Sequence, residues 1–165
     1  GVIPFFSWSL MFEFEGIASL EAMVDKCEKH LFSKTNRKVV RYRQEYLAEW
    51  LSDELKEDNE KLLKDLSGSA NVYAIFESKN GNTFEVKYIG QTKQKGARTR
   101  LTNHLIKKHE KTGAKLQRVM DSVRSGNDIC ISWVQIEPES LRHYVEEKLI
   151  EKHSLEWNVH GQSKV

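Results

Sequence analysis

Two runs rich in β-branched and aromatic residues, 71–77 (NVYAIFE) and 83–89 (TFEVKYI), stand on either side of Asn80-Gly81-Asn82. Asn and Gly tolerate the positive φ of tight turns, so this stretch encodes an antiparallel hairpin. The segments that follow supply its cover. A Lys/Gln-rich loop leads from Gly90 into residues 97–108, where Leu101, Leu105 and Ile106 oppose Arg98, Arg100, His104, Lys107 and Lys108, an amphipathic basic helix. Residues 114–123 carry Leu116, Val119, Met120 and Val123 at helical spacing, with Gly126 beyond. Residues 128–136 (DICISWVQI) read as a third strand, apolar enough for mid-sheet. Pro138 opens a last helix that turns Leu141, Tyr144, Val145, Leu149 and Ile150 inward. The order ββααβα predicts an α+β fold, a small and mostly antiparallel three-stranded sheet flanked by helices.

Residues 1–69 read as a helical N-terminal extension. Ser19, followed by Ala22, Met23, Cys27 and Leu31, predicts a helix with Ser19 as its N-cap. From Asn36 onward Val39, Tyr42, Tyr46, Leu47, Trp50, Leu51, Leu55, Leu62 and Leu66 recur at three- and four-residue steps. That spacing predicts one long helix, weakened at Ser52-Asp53 and Asp58-Asn59. Its stripe is expected to pack on the second region, with a homodimer interface as the other use. Ser67-Gly68-Ser69 acts as a short linker, dividing the chain into 1–69 and 70–165.

At 39% hydrophobic and 10% aromatic, the 165 residues contain enough apolar material for a core, which excludes global disorder. No apolar run approaches the roughly 20 residues of a membrane-spanning helix. Cys27 and Cys130 are too few and too far apart in sequence for a disulfide framework or a zinc cluster, and an intracellular, cytoplasmic setting is expected. Charge is uneven. Residues 1–69 hold 10 basic and 13 acidic side chains, whereas residues 87–124 hold 11 basic ones against Glu110 and Asp121 alone. Such a block calls for a polyanion or for solvent, and nucleic acid is the usual polyanion.

Each predicted element also presents one unusual polar residue. Tyr73 and Tyr88 lie on the hairpin strands. Arg100 and His104, four apart, share a helix face, and Glu146 sits among the inward positions of the last helix. Asn158 follows it. With these residues the chain resembles the GIY-YIG nucleases over residues 70–161. Asn71-Val72-Tyr73 matches the first motif and Tyr88-Ile89-Gly90 the second. Arg100-Leu101-Thr102-Asn103-His104 stands for Arg-x-x-x-His, Glu146-Glu147-Lys148-Leu149-Ile150 for the Glu-x-x-Leu-Ile helix, and Trp157-Asn158 for the closing aromatic-Asn pair. Asn71 replaces the first Gly, the loop before Arg100 is longer than usual, and Leu155-Glu156 replaces a proline. Arg100 rather than Arg98 takes the arginine position, because only Arg100 keeps the four-residue step to His104.

The resemblance implies a metal-dependent DNA endonuclease that hydrolyses phosphodiester bonds, of restriction, phage or mobile-element type. It implies Tyr73, Tyr88, Arg100, His104, Glu146 and Asn158 as catalytic residues, with Glu146 holding one Mg²⁺ or Mn²⁺ ion. Arg100 pairs with the scissile phosphate. Tyr73 is the base or relay, its pKa lowered by Arg100, Lys87 or the metal, and Asn158 steadies Tyr73 or a metal-bound water. Lys87 on the second strand, Lys93 and Lys95 on the loop, and Arg98, Lys107 and Lys108 on the stretch 98–111 are expected to grip double-stranded DNA along its phosphates. Arg37 and Arg41, in the basic segment 34–43, are the expected base readers. The alternative is a non-catalytic nucleic-acid-binding or interaction module on the same fold.

Overall fold

The computed structural model describes residues 10–108 and 114–161. Its elements are α1 (Ile17–Leu31), β1 (Lys38–Val39), α2 (Ser52–Asp58), α3 (Glu60–Leu66), β2 (Val72–Ser78), β3 (Glu85–Gln91), α4 (Ala97–Leu105), α5 (Leu116–Arg124), β4 (Asp128–Val134) and α6 (Arg142–His153), with short 3₁₀ turns between them. The hairpin forms as its turn residues dictate. Gly81 takes φ +77°, the Gly81 amide donates to Ser78 Oγ, and Asn80 Oδ1 accepts from the Asn82 and Thr83 amides. In its register Tyr73 faces Gly90 and Ile75 faces Tyr88, and a bulge after Ile75 sets Lys87 out of the ladder.

The sheet has four strands rather than three, all antiparallel, in the order β1-β4-β2-β3. The additional strand comes from the N-terminal extension. Lys38 and Val39 pair with Ile131 and Cys130, and the Val40 amide donates to Ile129 O at 2.9 Å. A long helix from Asn36 therefore does not form. Val39 and Val40 are β-branched and favour the extended chain, and a free edge of β4 offers them hydrogen bonds that a helix start cannot match. Helix appears only at α2 and α3 and is split at Asn59. The Asn59 amide donates to Arg41 O and Leu55 O and accepts from the Arg41 amide, so the residue that interrupts the helix also fastens it to the strand. Ser19 is not an N-cap either. Gly16 O accepts from the Ser19 and Leu20 amides, which starts α1 at Ile17. Pro138 precedes a 3₁₀ turn, Glu139–Leu141, and α6 begins only at Arg142.

Alternation along the strands separates two cores. On one face Tyr73, Ile75, Tyr88, Ile129 and Ile131 pack with Leu101 and Leu105 of α4, Val119 and Val123 of α5, and Leu47, Leu55, Leu63 and Leu66 of the extension. On the other, Val72, Ala74, Phe76, Ile89 and Cys130 pack with Val24, Cys27 and Leu31 of α1 and Val145 and Leu149 of α6. The extension also closes the end of α4. Tyr42 Oη donates to Leu105 O and Trp50 Nε1 to Ile106 O, both at 2.7 Å, which satisfies two carbonyls that a helix end leaves orphaned. Trp50 reaches that position with a left-handed backbone, φ 51°. Among the described residues, no helix is long and apolar enough to cross a membrane.

Candidate active site

Tyr73 and Tyr88 share a sheet face and lie diagonally across the hairpin, their ring centroids 6.2 Å apart. Facing them from α4 is His104, its ring 5.4 Å from Tyr73 and 5.2 Å from Tyr88. The three rings form a closed triangle, and Gly90 makes room for it. A Cβ at Gly90 would lie 2.6 Å from Tyr73 Cζ and 2.8 Å from Tyr88 Cε2, so only glycine fits opposite Tyr73.

The hydrogen bonds of His104 define its chemistry. The Lys115 amide donates to Nδ1 at 3.0 Å, which leaves that nitrogen without a proton. Nε2 lies 2.7 Å from Tyr73 Oη. Burial, with Arg100 and Lys115 nearby, pushes the histidine pKa down to about 3, so the ring is neutral and carries its one proton on Nε2. His104 therefore donates to the Tyr73 oxygen and has no lone pair left with which to accept a proton. It is a positioning group.

The Arg100 guanidinium faces both tyrosine hydroxyls and favours their ionised forms. Burial works against it and prevails. The Tyr73 pKa lies far above its ordinary value, with Tyr88 and Glu146 acting in the same direction, and Tyr88 is also raised. The expected lowering of Tyr73 does not occur. Lys87 cannot assist, because its ammonium is held by Glu156 at 2.8 Å, Glu85 at 3.2 Å and Glu77 at 3.8 Å. Glu146 lies half-buried on α6 within electrostatic reach of Arg100 and both tyrosines. Burial raises its pKa to about 6, Glu147 adding to the rise and Arg100 opposing it.

Asn158 serves the frame. Its Oδ1 accepts from the Ile89 amide and its Nδ2 donates to Ile89 O, both at 3.0 Å, so it pins β3 beside Tyr88 rather than steadying Tyr73 or a metal-bound water. Asn71 does not use an unusual φ in place of the absent glycine. Fully buried, it accepts from the Ile136 amide through Oδ1 at 2.7 Å, and its backbone bridges Val134 and Thr92.

The expected phosphate grips divide. Lys93, Lys95, Lys107 and Lys108 are exposed, and the last two line a cleft of about 490 Å³ with Lys56 of α2 and Thr99 and Thr102 of α4. Arg98 is held instead by Glu60 of α3, at 2.7 Å. Arg37 lies over the Phe76 ring at 4.5 Å, on the sheet face away from the tyrosines, where it is packing rather than a base reader. Arg41 is exposed, far along the chain from the triangle and beside Asn59. Residues 109–111 of the basic stretch lie outside the described residues. Lys115 and Arg118 were not anticipated. The Lys115 ammonium lies 5.5 Å from the Tyr88 ring centroid, but no motif spacing marks it, since its link to His104 runs through the backbone.

No family model, no characterised protein and no solved structure matches this chain. The site has to be read from its own chemistry. Among the described residues no group of three His, Cys, Asp or Glu side chains could hold a metal. Glu146 is a single carboxylate donor, partly desolvated and without a salt bridge to any described residue. That donor fits one hard cation that keeps most of its waters, and does not fit a caged transition metal.

Proposed function

We propose that the chain is a metal-dependent endonuclease of the GIY-YIG kind, acting on DNA. The observation that carries the reading is the contact triangle of Tyr73, Tyr88 and His104, faced by Arg100 and backed by the half-buried Glu146. Phosphodiester hydrolysis needs a positioned water, a route for its proton, and cationic stabilisation of the charge that builds on phosphorus. Arg100 takes the scissile phosphate, for which its planar, permanently charged fork is suited. Glu146 would hold a single Mg²⁺ or Mn²⁺, a Lewis acid for the phosphate oxygens and the departing 3′ oxygen.

The Tyr73 oxygen accepts from His104 Nε2–H, so its own proton is directed elsewhere, towards an incoming water or phosphate oxygen. A hydroxyl held protonated by burial acts as a relay, receiving one proton as it passes on another. His104 supports the phenolate character that develops on Tyr73 without exchanging a proton itself. Tyr88, beside it, orients the phosphate. The exposed lysines of the loop, and those of the 490 Å³ cleft along α4, would hold flanking phosphates.

Incubation of supercoiled plasmid with Mg²⁺ tests the reading. The expected result is nicked or linear product with the natural chain and at least about 100-fold less with Glu146→Gln, at unchanged DNA affinity. Binding without cleavage by either protein would leave the non-catalytic module. Discrete fragments, as against a smear, would mark a restriction-type specificity.

A further inference from the structure

The basic stretch is sorted by its partners. Lys87 is matched by Glu77, Glu85 and Glu156, and Arg98 by Glu60. Around the ring triangle the opposite holds. Arg100 of α4, Lys115 at the start of α5 and Arg118 one turn later form no salt bridge with any described residue; Glu146 feels Arg100 and Glu156 feels Arg118 at longer range, while Arg100 and Arg118 both press on the Lys115 ammonium. Lys115 is also half-buried and occupies the N-cap of α5, the positive end of a helix dipole, where an anion rather than a cation is favoured. Its ammonium is directed over Tyr88, towards the site rather than into open solvent. Three neighbouring cations, with carboxylates acting on Arg100 and Arg118 but none tied to Lys115, which is partly desolvated and set against a helix dipole, form an arrangement that a further anion relieves.

We propose that Lys115 and Arg118 form a second phosphate-binding subsite, which takes the backbone phosphate next to the one held by Arg100 on the strand being cut. The assignment rests on the nuclease reading for its substrate and adds to it the direction of the strand: from Arg100 across Tyr88 to the first turn of α5. Because the Lys115 amide also holds His104, a phosphate seated there presses on the same short segment that orients the ring against Tyr73. Strand binding and the alignment of Tyr73 are thereby joined through one residue.

The test is binding of a fluorescein-labelled 20-base-pair duplex, followed by anisotropy without divalent ions over a series of salt concentrations. Lys115→Met and Arg118→Ala keep the backbone amide that reaches His104. Each is expected to reduce the slope of log K against log salt by about one and to weaken binding about ten-fold at low salt. Lys115→Arg should retain both. Unchanged slopes and affinities in Lys115→Met and Arg118→Ala would overturn the subsite, as would a natural chain with no affinity for the duplex. The nuclease reading is scored separately on plasmid. If the natural chain binds but does not cut with Mg²⁺ while the two variants lose slope, the subsite stands and the nuclease reading fails. If it cuts and the variants keep their slope, the reverse holds. Arg118 is exposed, so Arg118→Ala remains informative even if Lys115→Met destabilises the fold.

Discussion

Glu146 carries the clearest mark of a functional residue, a carboxylate that the fold holds at a cost. Its pKa in the folded protein is about 6, raised above the ordinary carboxylate value by burial. The folded state therefore binds this proton more tightly than the unfolded chain. The cost is absent below about pH 4, where both states are protonated, grows between the two pKa values, and is complete above pH 6. Glu146→Gln should accordingly raise stability at pH 8 by about 1 kcal/mol, a figure discounted for the side chain's partial exposure, and leave it unchanged at pH 4. Urea melts at the two pH values check this; equal effects at both would remove the assigned cause. On the proposed nuclease reading, activity at subsaturating Mg²⁺ should rise with pH through about 6, as Glu146 loses the proton that competes with a cation. Of the six side chains read from motif spacing, Tyr73, Tyr88, Arg100 and His104 meet directly and Glu146 lies within their field. The i, i+4 step put Arg100 and His104 on one face and helical spacing turned Glu146 inward, while their meeting with the two tyrosines was implied only by the motif resemblance. The direction of the Tyr73 shift was not legible, because burial is a property of everything packed around a ring.

At the scale of elements, the helix that carries Arg100 and His104 depends on side chains remote in sequence. Tyr42 and Trp50 satisfy Leu105 O and Ile106 O, and Trp50 adopts a left-handed backbone to do so. Tyr42→Phe removes one of these bonds from a half-buried hydroxyl and its carbonyl. It should cost about 1–2 kcal/mol in chemical denaturation and loosen the C-terminal turn of α4. Hydrogen exchange of the amides of α4 reads the loosening, and protection equal to that of the natural chain would mean that the cap is dispensable. The apolar stripe from Val39 to Leu66 was read as one helix because its spacing suits a 3.6-residue period. Of those residues Leu47, Leu55 and Leu66 are buried and Tyr42, Tyr46, Trp50 and Leu62 pack on the core in part, but Val39 is 61% exposed and its neighbour Val40 takes the buried place, as Leu63 does beside Leu62. Val40, Leu47, Leu55, Leu63 and Leu66 do face the core. Periodicity found part of the buried set but not the backbone that buries it, since an open edge on β4 is visible only when the sheet exists.

At the scale of the whole molecule, the division at Ser67-Gly68-Ser69 is one of sequence more than of packing. Leu47, Leu55, Leu63 and Leu66 share a core with Ile75, Leu101 and Val119, and β1 completes the sheet. Residues 67–165 alone should therefore lack a cooperative thermal transition and expose apolar surface to dye, whereas the full chain melts in one step. A sharp melt of the fragment would make the extension an accessory. The amino-acid sequence by itself determined the hairpin, the order of the later elements and the shared face of Arg100 and His104, because these follow from turn chemistry and side-chain periodicity, which act over a few residues. Tertiary structure decided the fourth strand, the neutral His104, the matching of some cations and the convergence of others. Those depend on which groups lose water and which charges become neighbours, and both are set by segments tens of residues apart along the chain.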